Sequence, residues 1–145
     1  MSLKTKKQKD LSKPKGSARG ARKKSRKKLI KMLDDVFSKY IRARDGHCIC
    51  CGTTENLQCG HLLSRVSYST RWEEMNAHAQ CRGCNLKHEY NPHIMTIAFI
   101  KKYGLKEYEK LNSLHLQAVK FKDADIEELI EYFKFKISEE LHENL

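Results

Sequence analysis

Apolar residues recur at three- and four-residue intervals in two stretches of the chain. The stripe over residues 29–45 consists of Leu29, Met32, Leu33, Val36, Phe37, Tyr40 and Ile41. The stripe in "DADIEELIEYFKFKISEEL" consists of Ile126, Leu129, Ile130, Phe133, Ile137 and Leu141. This spacing puts the apolar side chains on one helix face and predicts two amphipathic helices, the second capped by Asp123 or Asp125.

The chain between these stripes is richer in turns. "ENLQCGHLL" and "EEMNAHAQC" predict a short β-hairpin, and "CRGCNLKHEY" predicts the start of a helix. "NPHIMTIAFIKKYG" predicts a helix with Asn91 as N-cap, Pro92 in its first turn and Gly104 after its end, and "LKEYEKLNSLHLQA" predicts another helix. The expected fold class is α+β and mostly helical.

Positive charge is concentrated at the start of the chain, before the first amphipathic stretch. Residues 1–28 contain 13 Lys or Arg and one acid, whereas residues 29–145 contain 16 Lys or Arg and 17 acids, so the first segment carries nearly all of the net +11. Such a segment has too little apolar surface to fold alone, and we predict a flexible basic tail. It can bind nucleic acid by releasing counterions, and its candidate contacts are Lys23, Lys24, Arg26, Lys27 and Lys28. A solubilising tail or a localisation signal is the alternative.

Six cysteines lie between positions 48 and 84. Cys48 and Cys51 form one CxxC pair and Cys81 and Cys84 form a second, which is the spacing of a structural zinc site with four thiolate ligands. Two disulfides or free buried thiols are the alternative. Cys50 could replace a neighbouring cysteine as ligand, but it breaks the two-residue spacing. We interpret Cys50 and Cys59 as small buried or semi-exposed fillers. The sequence lacks a secretory signal and any long apolar run, so a reducing cytoplasm and no membrane are expected.

Three polar residues follow the zinc pattern closely: His61 between the cysteine pairs, Asn76 before the second pair, and Asn85 directly after Cys84. This layout resembles the HNH, or ββα-metal, nucleases, which are built on a treble-clef zinc fold. The resemblance implies that His61 is the general base, Asn76 orients the histidine or the hairpin, and Asn85 binds a catalytic Mg²⁺ or Mn²⁺. A neutral imidazole suits the removal of a proton from water, and the divalent ion suits the developing charge on the leaving oxygen.

A closer resemblance is carried by "YIRARDGHCICCG", "GHLLSR", "STRWEEMNAHAQCRGCN" and "IKKYG". These segments look like the NinG, or Rap, family of lambda-type phages over roughly residues 36–110. That family is described as recombination endonucleases acting on branched DNA such as Holliday junctions and D-loops. The resemblance implies the same substrate and a location in the cytoplasm of a bacterial host. We divide the chain into the tail, 1–28, and one HNH-like zinc domain, 29–145, comprising a leading helix (29–45), a zinc and ββα core (46–91) and C-terminal helices (92–145).

The sequence departs from many HNH enzymes at Gly60, where the family often has an acidic residue or a second histidine that binds the catalytic ion. His88 and His78 are therefore further candidate ligands. The alternative for His78 is a structural role, and the alternative for His88 is a structural role or a phosphate contact. Further candidate phosphate contacts are Arg65, Arg71 and Lys87, with solvated surface as their alternative. We expect Trp72 to pack against the hairpin rather than stack on a base.

Three functions fit these features. The first is a metal-dependent endonuclease that cuts branched DNA, which we expect to be a homodimer because symmetric junction cutting needs two sites, with the C-terminal helices as candidate interface. Other recombination proteins of phage or host are possible further partners. The second is a non-catalytic zinc protein that binds DNA and assists recombination, which the glycine at position 60 favours. The third is a structural zinc ribbon that joins proteins, which leaves the basic tail without a use.

Overall fold

The computed structural model describes residues 22–144. The predicted flexible tail therefore lies mostly outside the described residues. The elements in chain order are α1 (Arg26–Asp45), β1 (Leu57–His61), α2 (Tyr68–Arg71), a 3₁₀ turn (Glu74–Asn76), β2 (Ala77–Cys81), α3 (Arg82–Tyr90), α4 (His93–Tyr103), α5 (Leu105–His115) and α6 (Asp123–Glu143). The expected mostly helical α+β class is confirmed. None of the helices in residues 22–144 has the length and apolar character needed to cross a membrane.

Helices α1 and α6 pack along each other through the two predicted stripes. Phe133 of α6 lies with its ring centroid 4.9 Å from Phe37 and 5.4 Å from Tyr40. The buried cluster consists of Leu29, Leu33, Val36, Phe37, Tyr40, Ile41, Trp72, Ala77, Ile126, Ile130 and Phe133. Leu141, at the end of the second stripe, is instead 61% exposed. Helices α1 and α6 thus form most of the larger apolar core.

The helix boundaries differ slightly from those expected. Ser25 caps α1 by accepting a hydrogen bond from the Lys28 amide, so the helix begins three residues earlier than predicted. At α6 the N-cap is Lys122, whose amide donates to Asp125, so of the two candidate aspartates Asp125 acts at this helix start. Helix α4 begins at His93 with Pro92, rather than Asn91, in the N-cap position.

Strands β1 and β2 form an antiparallel hairpin whose register pairs Leu57 with Cys81 and His61 with Ala77. Since successive side chains alternate between faces, the hairpin faces two separate apolar clusters, and His78 of β2 packs on Phe99 of the second. Ala77 and Cys59 pack on the α1–α6 core. The second cluster comprises Leu62, Met95, Phe99 and Leu111, with Ile49 and Met75 against it. The hairpin therefore lies between a large core and a small one.

The end of α1 is tied to β2 by hydrogen bonds. Asp45 accepts from the Ala79 amide at 2.7 Å, and Arg44 donates to the carbonyl oxygen of Ala77 at 2.9 Å. Arg44 also donates to Asp45 at 2.7 Å, so charge is compensated within the contact. These bonds hold the hairpin at a fixed place against the first helix.

Candidate functional site

The four cysteines of the two CxxC pairs converge. The Sγ atoms of Cys48, Cys51, Cys81 and Cys84 all lie within 4.8 Å of one another. The Cys51 and Cys81 sulfurs are 3.7 Å apart, close to the roughly 3.8 Å that a tetrahedral site with Zn–S bonds of about 2.3 Å requires. A disulfide needs about 2.05 Å, and all six thiols are free. The cluster can hold one zinc ion, and the disulfide alternative is not supported.

Local backbone geometry builds each half of this cluster. The first pair forms a knuckle in which the Gly52 amide donates to the Cys48 carbonyl oxygen at 2.9 Å. Gly52 has φ +77°, a left-handed conformation that glycine adopts without steric cost. In the second pair, Cys81 ends β2 and caps α3 by accepting from the Cys84 amide. The chain thus presents two thiols from a turn and two from a helix start.

The thiols differ in acidity, which fits a site that binds a cation. Burial raises the pKa of Cys48, but backbone amides of Cys81, Cys51 and Cys50 donate to its sulfur and lower the pKa to about 6. Burial and the neighbouring thiols raise the pKa of Cys84. One thiolate therefore opposes ionisation of the others, and a divalent cation would relieve that repulsion.

Cys50 and Cys59 lie outside the cluster, as expected. The Cys50 sulfur accepts from Gln80 Nε2 at 3.4 Å, and Cys59 packs against the α1–α6 core. Burial raises the pKa of Cys59 to about 12, so this thiol stays neutral at ordinary pH. Both behave as small fillers rather than ligands.

His61 ends β1 with its ring facing α1. Its Nε2 is 2.8 Å from the Arg71 carbonyl oxygen. A carbonyl can only accept, so Nε2 carries the proton and the neutral ring keeps its lone pair on Nδ1. Burial lowers the pKa of His61, which favours that neutral form. The ring borders a cleft of about 300 Å³ whose other polar lining residues are Lys31, Asp34, Asp35, Ser38 and Arg65.

Arg71, whose carbonyl orients His61, is itself held through its side chain by Asp34 of α1. Asp34 accepts from Arg71 Nε at 3.0 Å and Arg71 Nη2 at 2.6 Å, and from Trp72 Nε1 at 2.9 Å. Arg65 adds a contact of 3.2 Å. Two predicted phosphate contacts are thus engaged within the protein, and the Arg71 side chain is only 15% exposed. We therefore reassign Arg71 to this internal ion pair, whereas Arg65 remains 58% exposed.

Asn76 is fully buried and closes the long loop between the strands. Its Oδ1 accepts from the Leu63 amide at 2.7 Å, and its Nδ2 donates to the carbonyl oxygens of Leu63 and Thr70 at 3.0 and 2.9 Å. The loop includes Arg71, the residue that bonds His61. Asn76 therefore has the geometry of a hairpin-orienting residue.

Helix α3 brings two further candidates to the other side of β1. Asn85 Nδ2 donates to Gln58 Oε1 at 2.9 Å, which leaves its own oxygen as the end of the amide available to an ion. His88 Nε2 lies 3.1 Å from the His61 carbonyl oxygen, so it is the donor there. His88 Nδ1 is buried with no partner. The structure thus places both residues beside the strand that carries His61.

His78, by contrast, is not placed as a metal ligand. It is fully buried, its Nε2 bonds the Met75 carbonyl oxygen at 2.9 Å, and its Nδ1 faces Arg44 at 3.3 Å. Burial lowers its pKa to about 4, so the ring is neutral. Both nitrogens are already used inside the protein, and the ring packs on Phe99 and Tyr103. Its role is structural.

The remaining predicted contacts are basic and mostly exposed. Lys87 is exposed on α3, and Lys24, Lys27 and Lys28 are exposed at the start of α1. Lys23 lies 3.9 Å from Asp123 with 86% of its side chain exposed. Arg26 is more engaged, because it donates to Asp123 at 2.9 Å and to the Phe121 carbonyl oxygen at 2.8 Å. Trp72 is 6% exposed and stacks on Tyr68, which confirms that it packs.

Comparison with known proteins gives one match. A family model described as the bacteriophage lambda NinG protein matches residues 2–143. No curated protein and no solved structure matches the chain. The matched range covers almost the whole chain, including the cysteine cluster and the hairpin. The chain belongs to the NinG family, as the motifs around the two cysteine pairs suggested.

Proposed function

We propose that this protein is a metal-dependent endonuclease that cleaves phosphodiester bonds in branched DNA during phage recombination. The observation that carries the proposal is the His61 ring, partly buried, neutral and held in one tautomer by the Arg71 carbonyl. The structural His78 also has a defined tautomer but is fully buried, whereas His61 borders an open cleft.

His61 acts on water in this proposal. Its Nδ1 accepts a proton from a water molecule, the resulting hydroxide attacks phosphorus, and the bond to the leaving oxygen breaks. The lowered pKa of His61 keeps Nδ1 available at neutral pH, because the protonated ring could not accept. Asn76 holds the loop that supplies the Arg71 carbonyl, and so it keeps the ring in position.

Two kinds of metal fit the donor sets. The four thiols suit zinc, which would hold the knuckle, β2 and the start of α3 in one frame. Asn85 and His88, beside β1, suit Mg²⁺ or Mn²⁺ together with waters and a phosphate oxygen. That second ion, when bound, would stabilise negative charge on the leaving oxygen.

Two features support branched DNA as the substrate: the exposed basic residues and the membership of the NinG family. The exposed lysines at the start of α1 and the basic residues before it provide phosphate contacts without reading sequence. Branched DNA, a homodimer that makes paired cuts, and action in the cytoplasm of the phage's host are the corresponding parts of the proposal. They rest on membership of the NinG family.

The test uses a labelled four-way junction and a matched linear duplex, with Mg²⁺, Mn²⁺ or EDTA. We expect the wild-type protein to cut the junction only with a divalent ion, and His61→Ala to lose at least about 100-fold in rate, the lower end for general base catalysis, while still binding the junction. The exposed His142 provides the matched control, because His142→Ala should cut normally. Zinc content confirms that each variant is folded.

A non-catalytic DNA-binding protein is the second candidate, favoured by the glycine that precedes His61. It predicts that no variant cuts any substrate and that His61→Ala assists recombination as well as the wild type does. Removing positive charge from residues 4–28 should then abolish its effect. Metal-dependent cutting that His61→Ala eliminates would rule this candidate out.

A further inference from the structure

Gly60 precedes His61 on β1, and the structure shows why there is no room for a larger residue at position 60. A Cβ built on Gly60 would lie 1.9 Å from Gln80 Oε1 and 2.8 Å from Gln80 Cδ. The amide group of Gln80, reaching across from β2, therefore occupies the space that a side chain at position 60 would need. Gly60 and Gln80 are a matched pair, since any larger residue at 60 would displace the amide.

The Gln80 amide is only half satisfied. Gln80 is 1% exposed, and its Nε2 donates to Cys50 Sγ at 3.4 Å. Its Oε1 is buried with no hydrogen-bond partner. A buried amide oxygen without a partner destabilises the fold, so its presence calls for a ligand such as an ion or a water molecule.

The second unpartnered atom lies beside the same strand. Among residues 22–144, the buried side-chain atoms without a partner are Gln80 Oε1 and His88 Nδ1. Gln80 covers Gly60, and His88 bonds the carbonyl oxygen of His61. Asn85, one turn before His88 on α3, bonds Gln58, which is paired with Gln80 across the hairpin. The three side chains thus approach one short stretch of β1.

We propose that Gln80 Oε1 is a ligand of the catalytic divalent ion and replaces the ligand that Gly60 cannot provide. His88 Nδ1 and the Asn85 amide oxygen complete the protein's share of the coordination. This inference rests on the proposed nuclease function, because it assigns the ion of that same site.

The chemistry of this donor set determines when the ion binds. All three donors are neutral, so the protein offers no negative charge to a divalent cation. Mn²⁺ accepts mixed nitrogen and oxygen ligands more readily than Mg²⁺, which prefers oxygen and holds its waters tightly. A phosphate oxygen would supply the missing charge. The ion therefore binds together with DNA, and only weakly to the free protein.

The experiment measures Mn²⁺ binding by electron paramagnetic resonance, with and without a junction whose bridging oxygens resist cleavage. The wild-type protein should bind Mn²⁺ at least 10-fold more tightly with the junction than without it. Gln80→Ala should remove that gain. Gln80→Glu should bind Mn²⁺ without DNA at least 10-fold more tightly than the wild type, because a carboxylate replaces the amide oxygen. Gln117→Glu, which adds the same charge at an exposed position, should change nothing.

A relocation variant keeps the proposal testable if Gln80→Ala fails to fold. Gly60→Asp alone should lose Mn²⁺ binding, since the new side chain meets the Gln80 amide. Gly60→Asp combined with Gln80→Gly moves the ligand to β1 and should restore binding. Wild-type binding in folded, zinc-loaded Gln80→Ala, no gain in Gln80→Glu, or no Mn²⁺ binding by any variant would overturn the proposal.

Cleavage assays on the same samples separate this inference from the proposed function. Mn²⁺ binding that depends on Gln80, without cutting of any substrate, would uphold the ligand and reject the nuclease. Cutting that depends on His61 and is unaffected by Gln80→Ala would uphold the nuclease and reject the ligand.

Discussion

Different interactions stabilise the structure on the two sides of the hairpin. On the α1–α6 side, leucine, isoleucine and phenylalanine side chains form a continuous buried cluster. On the α3–α4 side, the buried apolar cluster is much smaller and the four-cysteine cluster lies at its edge. The buried polar side chains of residues 22–144 are Thr70, Asn76, His78 and Gln80, all in β2 and the loop before it. Apolar burial predominates on the α1–α6 side, whereas the α3–α4 side has a small apolar cluster and the four thiols.

The candidate site combines both sides. His61 faces α1, where Asp34 binds the side chain of Arg71, the residue whose carbonyl orients the ring. Asn85 and His88 come from α3, whose start lies in the cysteine cluster. A reaction that needs the base and the divalent ion together therefore requires both sides to be ordered. The site can therefore be lost in two separable ways, by disorder on the α1–α6 side or by disorder on the α3–α4 side.

The largest expected effect comes from removing zinc. Structural zinc contributes on the order of 10 kcal/mol to the folding of small domains, and the α3–α4 side has little apolar surface to replace it. We expect Cys84→Ser, or a chelator, to raise hydrogen exchange across α3 and the knuckle while amides of α1 and α6 stay protected. Cys50→Ala, outside the cluster, should keep one zinc and normal protection. Loss of protection in α1 and α6 as well would show that the two sides unfold as one unit.

The second effect concerns the α1–α6 side. Phe133 is 1% exposed between Phe37 and Tyr40, so Phe133→Ala leaves a cavity and should lower the free energy of unfolding by about 3–5 kcal/mol. Phe135, two residues along and 61% exposed, is the matched control, and Phe135→Ala should change stability by less than about 0.5 kcal/mol. Urea unfolding measures both. Equal losses would contradict the packing described for α6.

The sequence predicted these two sides unequally. The 3.6-residue periodicity of α1 and α6 and the CxxC spacing follow from local rules, so both helices and the cysteine cluster were expected. Asp34 and Gln80 were not, because each acts through a residue far away in sequence: Asp34 through Arg71, and Gln80 through Gly60. The ligand and structural alternatives for His78 stayed open for the same reason, since its neighbours Arg44 and Phe99 approach it only in the folded chain. Local sequence patterns predict which face of a helix is apolar and which cysteines have metal-ligand spacing. Contacts between polar side chains far apart in sequence are visible only in the folded structure.

The smallest expected effect is the pH dependence of stability that Asp34 contributes on the α1–α6 side. Burial raises the pKa of Asp34, but hydrogen bonds from Arg71 and Trp72 outweigh it and the pKa is lowered. A carboxyl with a lowered folded pKa adds stability above its unfolded pKa of about 3.9, and this is lost as pH falls through the folded pKa. Asp34→Asn should therefore cost about 1–2 kcal/mol at neutral pH and progressively less below pH about 4.

Asp35 provides the control for that measurement, because its carboxylate is 62% exposed and its ion pair within residues 22–144 is with Lys31 one turn away. Asp35→Asn should change stability by at most about 0.5 kcal/mol at any pH. Asp34→Asn should also loosen the loop that carries the Arg71 carbonyl, so ¹⁵N shifts of the His61 ring should report a mixture of tautomers in place of one. A single unchanged tautomer in that variant would mean that Asn76 alone holds the loop, and that α1 contributes stability to the site but not its geometry.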